Sequence, residues 1–297
     1  MTLSPATVNG ILAAGLDPEL IETLVRAAIA EDLDGGVDVT SQATVPPDQR
    51  STMDLVCRGS GVVAGIPVAA CVFDAVSNGD ATIVERANDG DRVAAGQTLL
   101  SITGRTRDLL LAERTALYLL CHLSGVATAT RRWADALEGT GARVRDTRKT
   151  TPGLRVLEKY AVRCGGGVNH RMSLSDAALV KDNHVVAAGG VAAAFDAVRA
   201  MWPGLHVEVE VDSLEQLDEV LDAGADLVML DNFDPAGMRI AVERTRGRAL
   251  LEASGGLTLD DAAAVGATGV DFIAVGALTH SAPVLDVGAD LRDPDHE

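Results

Sequence analysis

The stretch HVEVEVDSLEQLDEVLDAGADLVMLDN, residues 206–232, contains one helical run between two short runs typical of β-strands. The first and last runs, HVEVEVD and DLVMLD, are rich in β-branched and aliphatic residues, whereas LEQLDEVLDAG has apolar residues at helical spacing. Two strands with a helix between them are typical of parallel pairing through a right-handed crossover. This unit therefore predicts a parallel β-sheet covered by helices.

The same alternation of strand and helix extends from about residue 143 towards the C-terminus. Six runs are candidate strands: ARVRDTR, AALVKD, HVEVEVD, DLVMLD, ALLEAS and DFIAVGA. Helical stretches such as VAAAFDAVRAMW and PAGMRIAVERTR lie between several of them. This alternation is typical of either a closed β/α barrel or an open doubly wound sheet.

Almost every candidate strand ends in polar or small residues, which favours the barrel. The carboxyl ends of parallel strands lie on one face, and in a barrel all six ends surround one mouth. Neither GxGxxG nor GxxxxGK[ST] occurs at a strand-to-helix turn, so the two commonest nucleotide-binding open sheets lose support. We therefore expect an α/β protein with a C-terminal TIM-like β/α barrel, complete or incomplete, and a smaller N-terminal α+β domain.

The N-terminal third has a different organisation. Asp17 and Pro18 indicate the cap and the first residue of a helix. Short β-like runs separated by turns follow between about 50 and 104, and then comes a long helical stretch with an expected interruption at Ser124-Gly125. We expect an N-terminal domain over 1–125, a barrel over 126–285, and a tail over 286–297 that returns to the N-terminal domain.

The acidic composition limits the partners of the chain. Its formal net charge of -18 repels nucleic acids and anionic membrane surfaces, so we expect neither as a partner. A small anionic substrate in a locally basic cleft is compatible with this charge. With 47% apolar but only 3% aromatic residues, the cores must consist of Ala, Val and Leu, which suits helices packed on parallel strands.

The cysteine pattern and the absence of targeting signals indicate a cytoplasmic protein. Cys57, Cys71, Cys121 and Cys164 are widely spaced and form no CxxC, so neither a zinc site nor a disulfide framework is expected. The N-terminus lacks a basic segment followed by an apolar core, and no uninterrupted apolar run approaches the roughly 20 residues of a membrane helix.

Lysine is rare in this chain, since only Lys149, Lys159 and Lys181 occur among 25 basic residues. We interpret Lys159 as a helix-surface residue paired with a nearby acid. Arginine provides a planar fork for carboxylate or phosphate oxygens, whereas lysine is a compact point charge, so a substrate with several negative oxygens uses both. The residues predicted to form a cationic wall at the mouth are Arg114, Arg148, Lys149, His170, Arg171 and Lys181.

Acidic and small residues at other strand ends suggest further subsites. Glu210 and Asp231 lie on successive strands, so they could share a divalent cation or bind the hydroxyls of a sugar. EASGG and VGALTHS place small residues after two neighbouring strands, where backbone N–H groups can approach an oxyanion. Each feature alone also fits a surface ion pair or a turn. The coincidence at all six strand ends favours function.

Seven segments of the chain resemble the family of quinolinate phosphoribosyltransferase, also called carboxylating nicotinate-nucleotide pyrophosphorylase. They are AERTALYLLCHLSGVATATR, DTRKTTPGLRVLEKYAV, GGGVNHRMSLSDAALVKDNH, VEVEVDSLEQL, LVMLDNF, EASGGL and GVDFIAVGALTHS. The resemblance runs from about residue 20 to residue 287, and the DTRKT, GGGxNHR and KDNH series is highly specific. It implies phosphoribosyl transfer from phosphoribosyl pyrophosphate to quinolinate with decarboxylation, giving nicotinate mononucleotide for NAD biosynthesis.

The resemblance also implies a cofactor, an assembly and residue roles. It implies Mg²⁺ and a homodimer or larger homo-oligomer, in which the N-terminal domain of one subunit covers the barrel of its partner. Lys149, Glu210 and Asp231 are then catalytic, with Glu210 and Asp231 as metal ligands. The substrate-binding residues are Arg114 (from the neighbouring subunit), Thr147, Arg148, His170, Arg171 and Lys181. The phosphate-binding residues are Ser254, Gly255, Gly256, Val275, Gly276, Ala277 and His280.

Two other functions stay open. A related phosphoribosyltransferase could use another pyridine-like acceptor, and a non-catalytic barrel could bind phosphoribosyl ligands. Lys149, Glu210 and Asp231 speak against the second function, because a pure binding protein needs no such set of acids and cations.

Overall fold

A computed structural model of the chain describes residues 3–292. It contains two compact units, one formed by the chain up to 128 together with the chain from 282 onward, and the other by 129–281. The sequence places the boundaries at 125/126 and 285/286, whereas these units divide at 128/129 and 281/282. Of the expected tail, 293–297 lie outside the described residues.

The first unit contains an antiparallel four-stranded sheet with the order β12-β1-β5-β3. Its helices are α1 (Pro5–Ala13), α2 (Pro18–Leu33), α3 (Val39–Thr44), α4 (Ile66–Ser77) and most of α5 (Thr106–Ala136). Its strands are β1 (Arg50–Cys57), β2 (Gly61–Val62), β3 (Thr82–Glu85), β4 (Arg92–Val93), β5 (Thr98–Arg105) and β12 (Val287–Arg292). The C-terminal strand β12 pairs with β1, so the end of the described chain extends the sheet of this unit.

Two local predictions in this unit have different outcomes. The helix expected after Asp17 is confirmed, since Asp17 Oδ1 accepts from the Glu19 N–H at 2.9 Å and Pro18 opens α2. The expected interruption at Ser124-Gly125 is wrong, because α5 is continuous through these residues. A Cβ at Gly125 would lie 2.2 Å from the Pro283 carbonyl oxygen. This glycine therefore allows close packing and does not break the helix.

Helix α5 is long and apolar enough, by length and composition, to cross a membrane. The sequence led us to expect no such segment. However, 61% of its most apolar 18-residue window is buried inside the protein, as in the core helix of a globular protein. Burial of Ala112, Ala116 and Leu120 shows that the apolar face packs internally.

The second unit alternates strands and helices as the sequence predicts. Its strands are β6 (Arg143–Arg145), β7 (Ala178–Val180), β8 (Val207–Val211), β9 (Leu227–Asp231), β10 (Leu250–Ser254) and β11 (Phe272–Ala274). Its helices are α6 (Arg155–Cys164), α7 (Asp182–Ala188), α8 (Val191–Met201), α9 (Leu214–Asp222), α10 (Pro235–Thr245), a 3-10 turn (Leu259–Asp261), α11 (Ala262–Gly266) and α12 (Ala277–His280). All six predicted strands are present, which confirms the barrel-type organisation.

The six strands form one parallel sheet with the order β6-β11-β10-β9-β8-β7. Within residues 3–292 no ladder joins β6 to β7, so this TIM-like barrel is incomplete. Pairing of Ser254 with Asp231, and of Val211 with Leu230, keeps the carboxyl ends of three neighbouring strands nearly level. Side chains that follow these strand ends therefore share one edge.

Strand β8 shows how the sheet carries polar groups. Val207, Val209 and Val211 are buried on one face, and the period of two places Glu208 and Glu210 together on the other. Glu208 is buried, whereas Glu210 is at the end of the strand and half-buried. The same face of one short strand thus contributes to both the interior and the mouth of the barrel.

Candidate active site

The DTRKT segment is held in place by hydrogen bonds at Lys149. Its backbone N–H donates to Thr147 Oγ1 at 3.0 Å, and its carbonyl accepts from Thr279 Oγ1 at 2.8 Å. The Lys149 side chain lies against Gly276, because a Cβ at that glycine would be 2.9 Å from Lys149 Cδ. The loops that follow β6 and β11 are therefore joined, and Lys149 lies between them.

Two lysines and two carboxylates interact across the ends of β6, β7, β8 and β9. Lys181 Nζ forms an ion pair with Glu210 Oε2. The pKa of Asp231 is raised, chiefly by burial and secondly by the negative charge of Glu210, while Lys181 and Lys149 oppose this shift. Both lysines predicted for the mouth thus act on Asp231, and Lys181 also pairs with Glu210.

The SGG turn after β10 requires glycine at residue 255. Gly255 has a φ of +113°, and a Cβ there would lie 2.3 Å from Asn232 Oδ1 and 2.8 Å from the Asn232 backbone nitrogen. The Asn232 N–H donates to the Ser254 carbonyl at 2.9 Å, and its Nδ2 donates to Asp231 Oδ2 at 2.7 Å. The turn is thereby packed against the residue that follows Asp231.

The turn after β11 is built differently. The Val275 N–H donates to the Arg145 carbonyl at 2.9 Å and is used within the sheet, so this amide supports the loop without being available to an anion. Gly276 lies between Lys149 and His280, whose Nε2 would be 3.3 Å from a Cβ at that position. Ala277 and His280 are exposed at this end of the unit.

Arg148 and Arg171 are half-buried, and the Nε atom of each is buried without a hydrogen-bond partner. Arg171 Nη1 donates to the Ala177 carbonyl at 3.0 Å. Burial, followed by the charge of Arg148, lowers the pKa of Arg171, so the two guanidinium groups repel each other. Buried donors without acceptors are costly, and an anion between these groups would relieve both the repulsion and the missing hydrogen bonds.

Comparison with protein families identifies the chain. Residues 126–290 match the model described as "Quinolinate phosphoribosyl transferase, C-terminal domain", and residues 38–124 match the corresponding N-terminal domain. The chain belongs to the quinolinate phosphoribosyltransferase family. The resemblance expected from the sequence is thereby confirmed.

Curated and solved members of the quinolinate phosphoribosyltransferase family match over nearly their whole length. Nicotinate-nucleotide pyrophosphorylase [carboxylating] of Mycobacterium leprae is 54% identical over 271 residues, which cover 90% of this chain and 95% of the relative. The probable enzyme of that name in Bacillus subtilis is 39% identical, with 91% and 93% covered. The structure of nicotinate-nucleotide pyrophosphorylase from Francisella tularensis is 37% identical, has a TM-score of 0.89, and covers 93% of this chain and 98% of its own.

In this quinolinate phosphoribosyltransferase-family chain, His170 turns into the barrel. It is buried, with Nε2 2.7 Å from Glu208 Oε2 and 3.9 Å from Glu252 Oε1. Its Nδ1 accepts the Arg171 backbone N–H at 2.7 Å. His170 is buried, whereas Arg148, Lys149, Arg171 and Lys181 of the predicted cationic wall are half-buried or exposed.

Three residues below the mouth were missed by sequence reasoning. Arg145 Nη1 lies 2.7 Å from Glu252 Oε2 and 3.8 Å from Glu208 Oε2. Together with His170 these residues form a buried group that we call the interior cluster. The acids of VEVEVD and LLEAS carried a signal, because a charged residue in the middle of a β/α-barrel strand rarely faces solvent.

Lys159 is not the surface residue that its helical position suggested. It is completely buried in α6 and forms an ion pair with the buried Asp146. Its Nζ also donates to the His170 carbonyl at 2.9 Å, and the His170 N–H donates to Asp146 at 2.7 Å. The expected acidic partner is Asp146, but the ion pair is buried and has a structural role. It joins the first residue of DTRKT to the NHR segment.

Arg114 belongs to the first unit, where it is exposed on α5. The remaining predicted site residues belong to the second unit. Within that unit, the structure brings Lys149 and Lys181 near Asp231, and Arg148 near Arg171.

Proposed function

We propose that this chain transfers the phosphoribosyl group of phosphoribosyl pyrophosphate to the ring nitrogen of quinolinate. The reaction releases pyrophosphate and CO₂ and gives nicotinate mononucleotide, a precursor in NAD biosynthesis. The relatives named above share the family and the activity in their names. The observation that carries the proposal is the pair of half-buried arginines, Arg148 and Arg171, whose Nε donors lack acceptors.

The acceptor subsite suits a dicarboxylate. Two neighbouring guanidinium groups provide planar forks for two carboxylate groups, and their mutual repulsion disfavours the empty pocket. A monocarboxylate such as nicotinate satisfies only one of them. Quinolinate therefore fits the charge of this subsite better than a pyridine with one carboxylate. We assign Thr147, which precedes Arg148 in the chain, and Lys181, which follows β7, to the same subsite.

The donor subsite uses the remaining strand ends. Ser254, Gly255, Gly256, Gly276, Ala277 and His280 surround the 5′-phosphate, and Val275 supports that loop from within the sheet. The carboxylates Glu210 and Asp231 bind the ribose hydroxyls from the neighbouring strands. Lys149 lies between the two subsites, against Gly276 on one side and within electrostatic reach of Asp231 on the other.

The chemistry follows from this arrangement of charges. Departure of pyrophosphate leaves positive charge on the anomeric carbon, which the carboxylates of Glu210 and Asp231 stabilise. The pyridine nitrogen attacks this carbon while Arg148 and Arg171 hold the acceptor in position. The quaternised nitrogen then acts as an electron sink: the bond from C2 to its carboxylate breaks, CO₂ leaves, the electron pair stays on C2, and this carbon takes up a proton from water. The protein's task in this last step is to orient the carboxylate and exclude competing groups.

Glu210 and Asp231 also fit a Mg²⁺ site. They are oxygen donors on adjacent strands, and the charge of Glu210 raises the pKa of Asp231, so a second cation near both is favourable. Mg²⁺ supplies charge neutralisation for the phosphate oxygens when it is bound. Lys181 already neutralises part of Glu210 through its ion pair.

We further propose a homodimer or larger homo-oligomer in the cytoplasm, in which Arg114 reaches the barrel of a neighbouring subunit. The location of Arg114 in the N-terminal unit supports this assignment. The net charge of -18 argues against nucleic acid and anionic membrane as partners.

Product analysis tests the proposed reaction. The purified protein is incubated with phosphoribosyl pyrophosphate, Mg²⁺ and either quinolinate or nicotinate, and nicotinate mononucleotide and pyrophosphate are quantified. We expect equal amounts of both products with quinolinate and none with nicotinate. Product from nicotinate would favour a different acceptor. Binding of both substrates without pyrophosphate release would favour a non-catalytic barrel.

A further inference from the structure

The interior cluster of Arg145, His170, Glu208 and Glu252 has no role in the reaction described above. The two glutamates and the histidine are buried, with 3%, 0% and 7% relative exposure for Glu208, Glu252 and His170. Both Glu208 oxygens, Glu252 Oε1 and His170 Nε2 lack a well-directed hydrogen bond, although Nε2 lies only 2.7 Å from Glu208. Buried polar atoms without hydrogen bonds are rare in folded proteins, so this cluster needs a structural or functional explanation.

One reading of this cluster is a buried metal site. The ligand atoms of His170, Glu208 and Glu252 lie within 4.8 Å of one another, as in a three-ligand centre. The hydrogen bond at Nδ1 excludes this reading. The Arg171 backbone N–H is always a donor, so Nδ1 must be the unprotonated nitrogen and Nε2 must carry the proton of the neutral ring. A metal at Nε2 would have to displace this proton while Nδ1 still accepts the Arg171 N–H, which would leave an imidazolate ring with no proton on either nitrogen.

Arg145 opposes a metal ion for a second reason. Its guanidinium already lies 2.7 Å from Glu252 and 3.8 Å from Glu208, so it occupies the position of the counter-charge. Arg145 is fixed there by Phe272, whose ring centroid is 4.9 Å from its guanidinium carbon. Arg145 therefore already supplies the positive charge that the two glutamates need. For His170, the nearest acceptor of the Nε2 proton is Glu208.

We propose that Glu208 and Glu252 are positioning residues of the acceptor subsite, which hold His170 in the Nε2–H tautomer so that Nδ1 fixes the backbone of Arg171. The effect passes from the carboxylates through one imidazole ring to the residue whose guanidinium faces Arg148. His170 then acts on the acceptor subsite through Arg171. The burial of the acids supports this role, since Glu208 Oε2 lies 2.7 Å from Nε2 in a place shielded from water.

This role predicts a selective effect on one substrate. In Glu208→Leu the Nε2 proton loses its nearest acceptor, so the Nδ1–H tautomer becomes accessible and the Arg171 amide loses its partner. The inference rests on the proposed function, because the effect is measured with its two substrates. We expect the KM for quinolinate to rise about tenfold, the equivalent of one hydrogen bond to a charged group, while the KM for phosphoribosyl pyrophosphate changes less than about twofold. Glu208→Gln keeps a carbonyl acceptor and restores most of the quinolinate affinity.

Tautomer measurement tests the inference independently of activity. ¹⁵N NMR of histidine-labelled protein, with His170→Gln to assign the signals, is expected to show His170 with a protonated Nε2 and an unprotonated Nδ1, and Glu208→Leu is expected to change this pattern. Glu243→Leu, on the exposed side of α10, is the control for loss of an acid. A wild-type ring protonated at Nδ1 would overturn the inference even if nicotinate mononucleotide is formed.

Two further results would also overturn it. Equal increases in both KM values for Glu208→Leu would indicate general damage to the barrel. Dialysis against Zn²⁺ that leaves one bound ion per chain in the wild type, and none in Glu252→Gln, would restore the metal reading. Failure of the proposed function appears differently, as absence of nicotinate mononucleotide with a His170 tautomer that still depends on Glu208.

Discussion

Lys149 has its backbone tied on both sides and its side chain packed against Gly276. We expect Lys149→Arg to lose at least about 100-fold in kcat, because the longer planar fork cannot occupy the same space and contacts different oxygens. Steady-state kinetics with quinolinate measure this loss. Arg239→Lys on the exposed surface of α10 is the control for the exchange of the two cations. Unchanged turnover in Lys149→Arg would show that the scarcity of lysine has no functional meaning.

Two adjacent glycines separate the effect of space from that of backbone conformation. Gly255 and Gly256 both have positive φ, but only at Gly255 would a Cβ collide, at 2.3 Å from Asn232 Oδ1. Gly255→Ala should raise the KM for phosphoribosyl pyrophosphate and lower the free energy of unfolding by about 1–3 kcal/mol. Gly256→Ala should cost only about 1 kcal/mol in unfolding free energy. Similar values for both variants would argue against close packing of this turn on Asn232.

Glu252 gives the stability of the protein a pH dependence. Its pKa is about 8 in the folded protein against an ordinary 4.5, because of burial first and the charge of Glu208 second. Between pH 4.5 and 8 the folded state thus keeps a proton that the unfolded chain has released. The free energy of unfolding therefore falls as the pH rises through this range, by up to about 1.4 kcal/mol per pH unit for one proton. Glu252→Gln should flatten this dependence in urea titrations. The exposed Glu243→Gln should leave it unchanged, and a decline that persists in Glu252→Gln would place the proton elsewhere.

Single residues also show where sequence reasoning reached its limit. The strand ends at Lys149, Lys181, Glu210 and Asp231 could be predicted, since every parallel strand presents its carboxyl end to the same edge. The burial of Lys159 could not, because its partner Asp146 is 13 residues away and only the fold brings them together. His170 was predicted as part of a cationic wall, but its ring orientation depends on Glu208 and Glu252 from two other strands.

At the level of elements, the strands of the barrel were more predictable than the long helix α5. Their apolar cores, their polar ends and the helices between them all follow a short-range pattern, which the structure reproduces in β6 to β11. The sequence predicts a break at Gly125 because glycine weakens a helix by its own propensity. The close approach of Pro283, 158 residues later, was invisible in the local sequence.

The same substitution in two helices therefore should have opposite effects. Gly125→Ala places a methyl group 2.2 Å from the Pro283 carbonyl oxygen and should lower the free energy of unfolding by about 1–3 kcal/mol. At Gly10 in α1 the nearest heavy atoms to a Cβ are 3.9 Å away, so Gly10→Ala should raise the free energy of unfolding by about 0.5–1 kcal/mol. Urea unfolding measures both. A stabilising Gly125→Ala would mean that this glycine is a helix defect and not a packing site.

At the scale of the whole molecule, the proposed assembly makes a prediction about mixed oligomers. If Arg114 completes the site of a neighbouring subunit, Arg114→Ala and Lys149→Ala chains are each inactive alone. Mixed dimers then contain one intact site, and an equal mixture should recover about a quarter of wild-type activity. Mixtures of Lys149→Ala with Glu210→Gln, both in the second unit, should recover none. Absence of recovery in the first mixture would place Arg114 in the site of its own chain or outside the site.

The proposed function depends on the binding of the two carboxylates of one acceptor by the two half-buried arginines, Arg148 and Arg171. A crystal structure of the protein with quinolinate tests it most directly, through the distances from the carboxylate oxygens to Arg148 Nε and Arg171 Nε, which have no partner in the free chain. We predict that each Nε donates to a different carboxylate at about 2.7–2.9 Å. Quinolinate bound elsewhere, with both Nε atoms still without acceptors, would contradict the account.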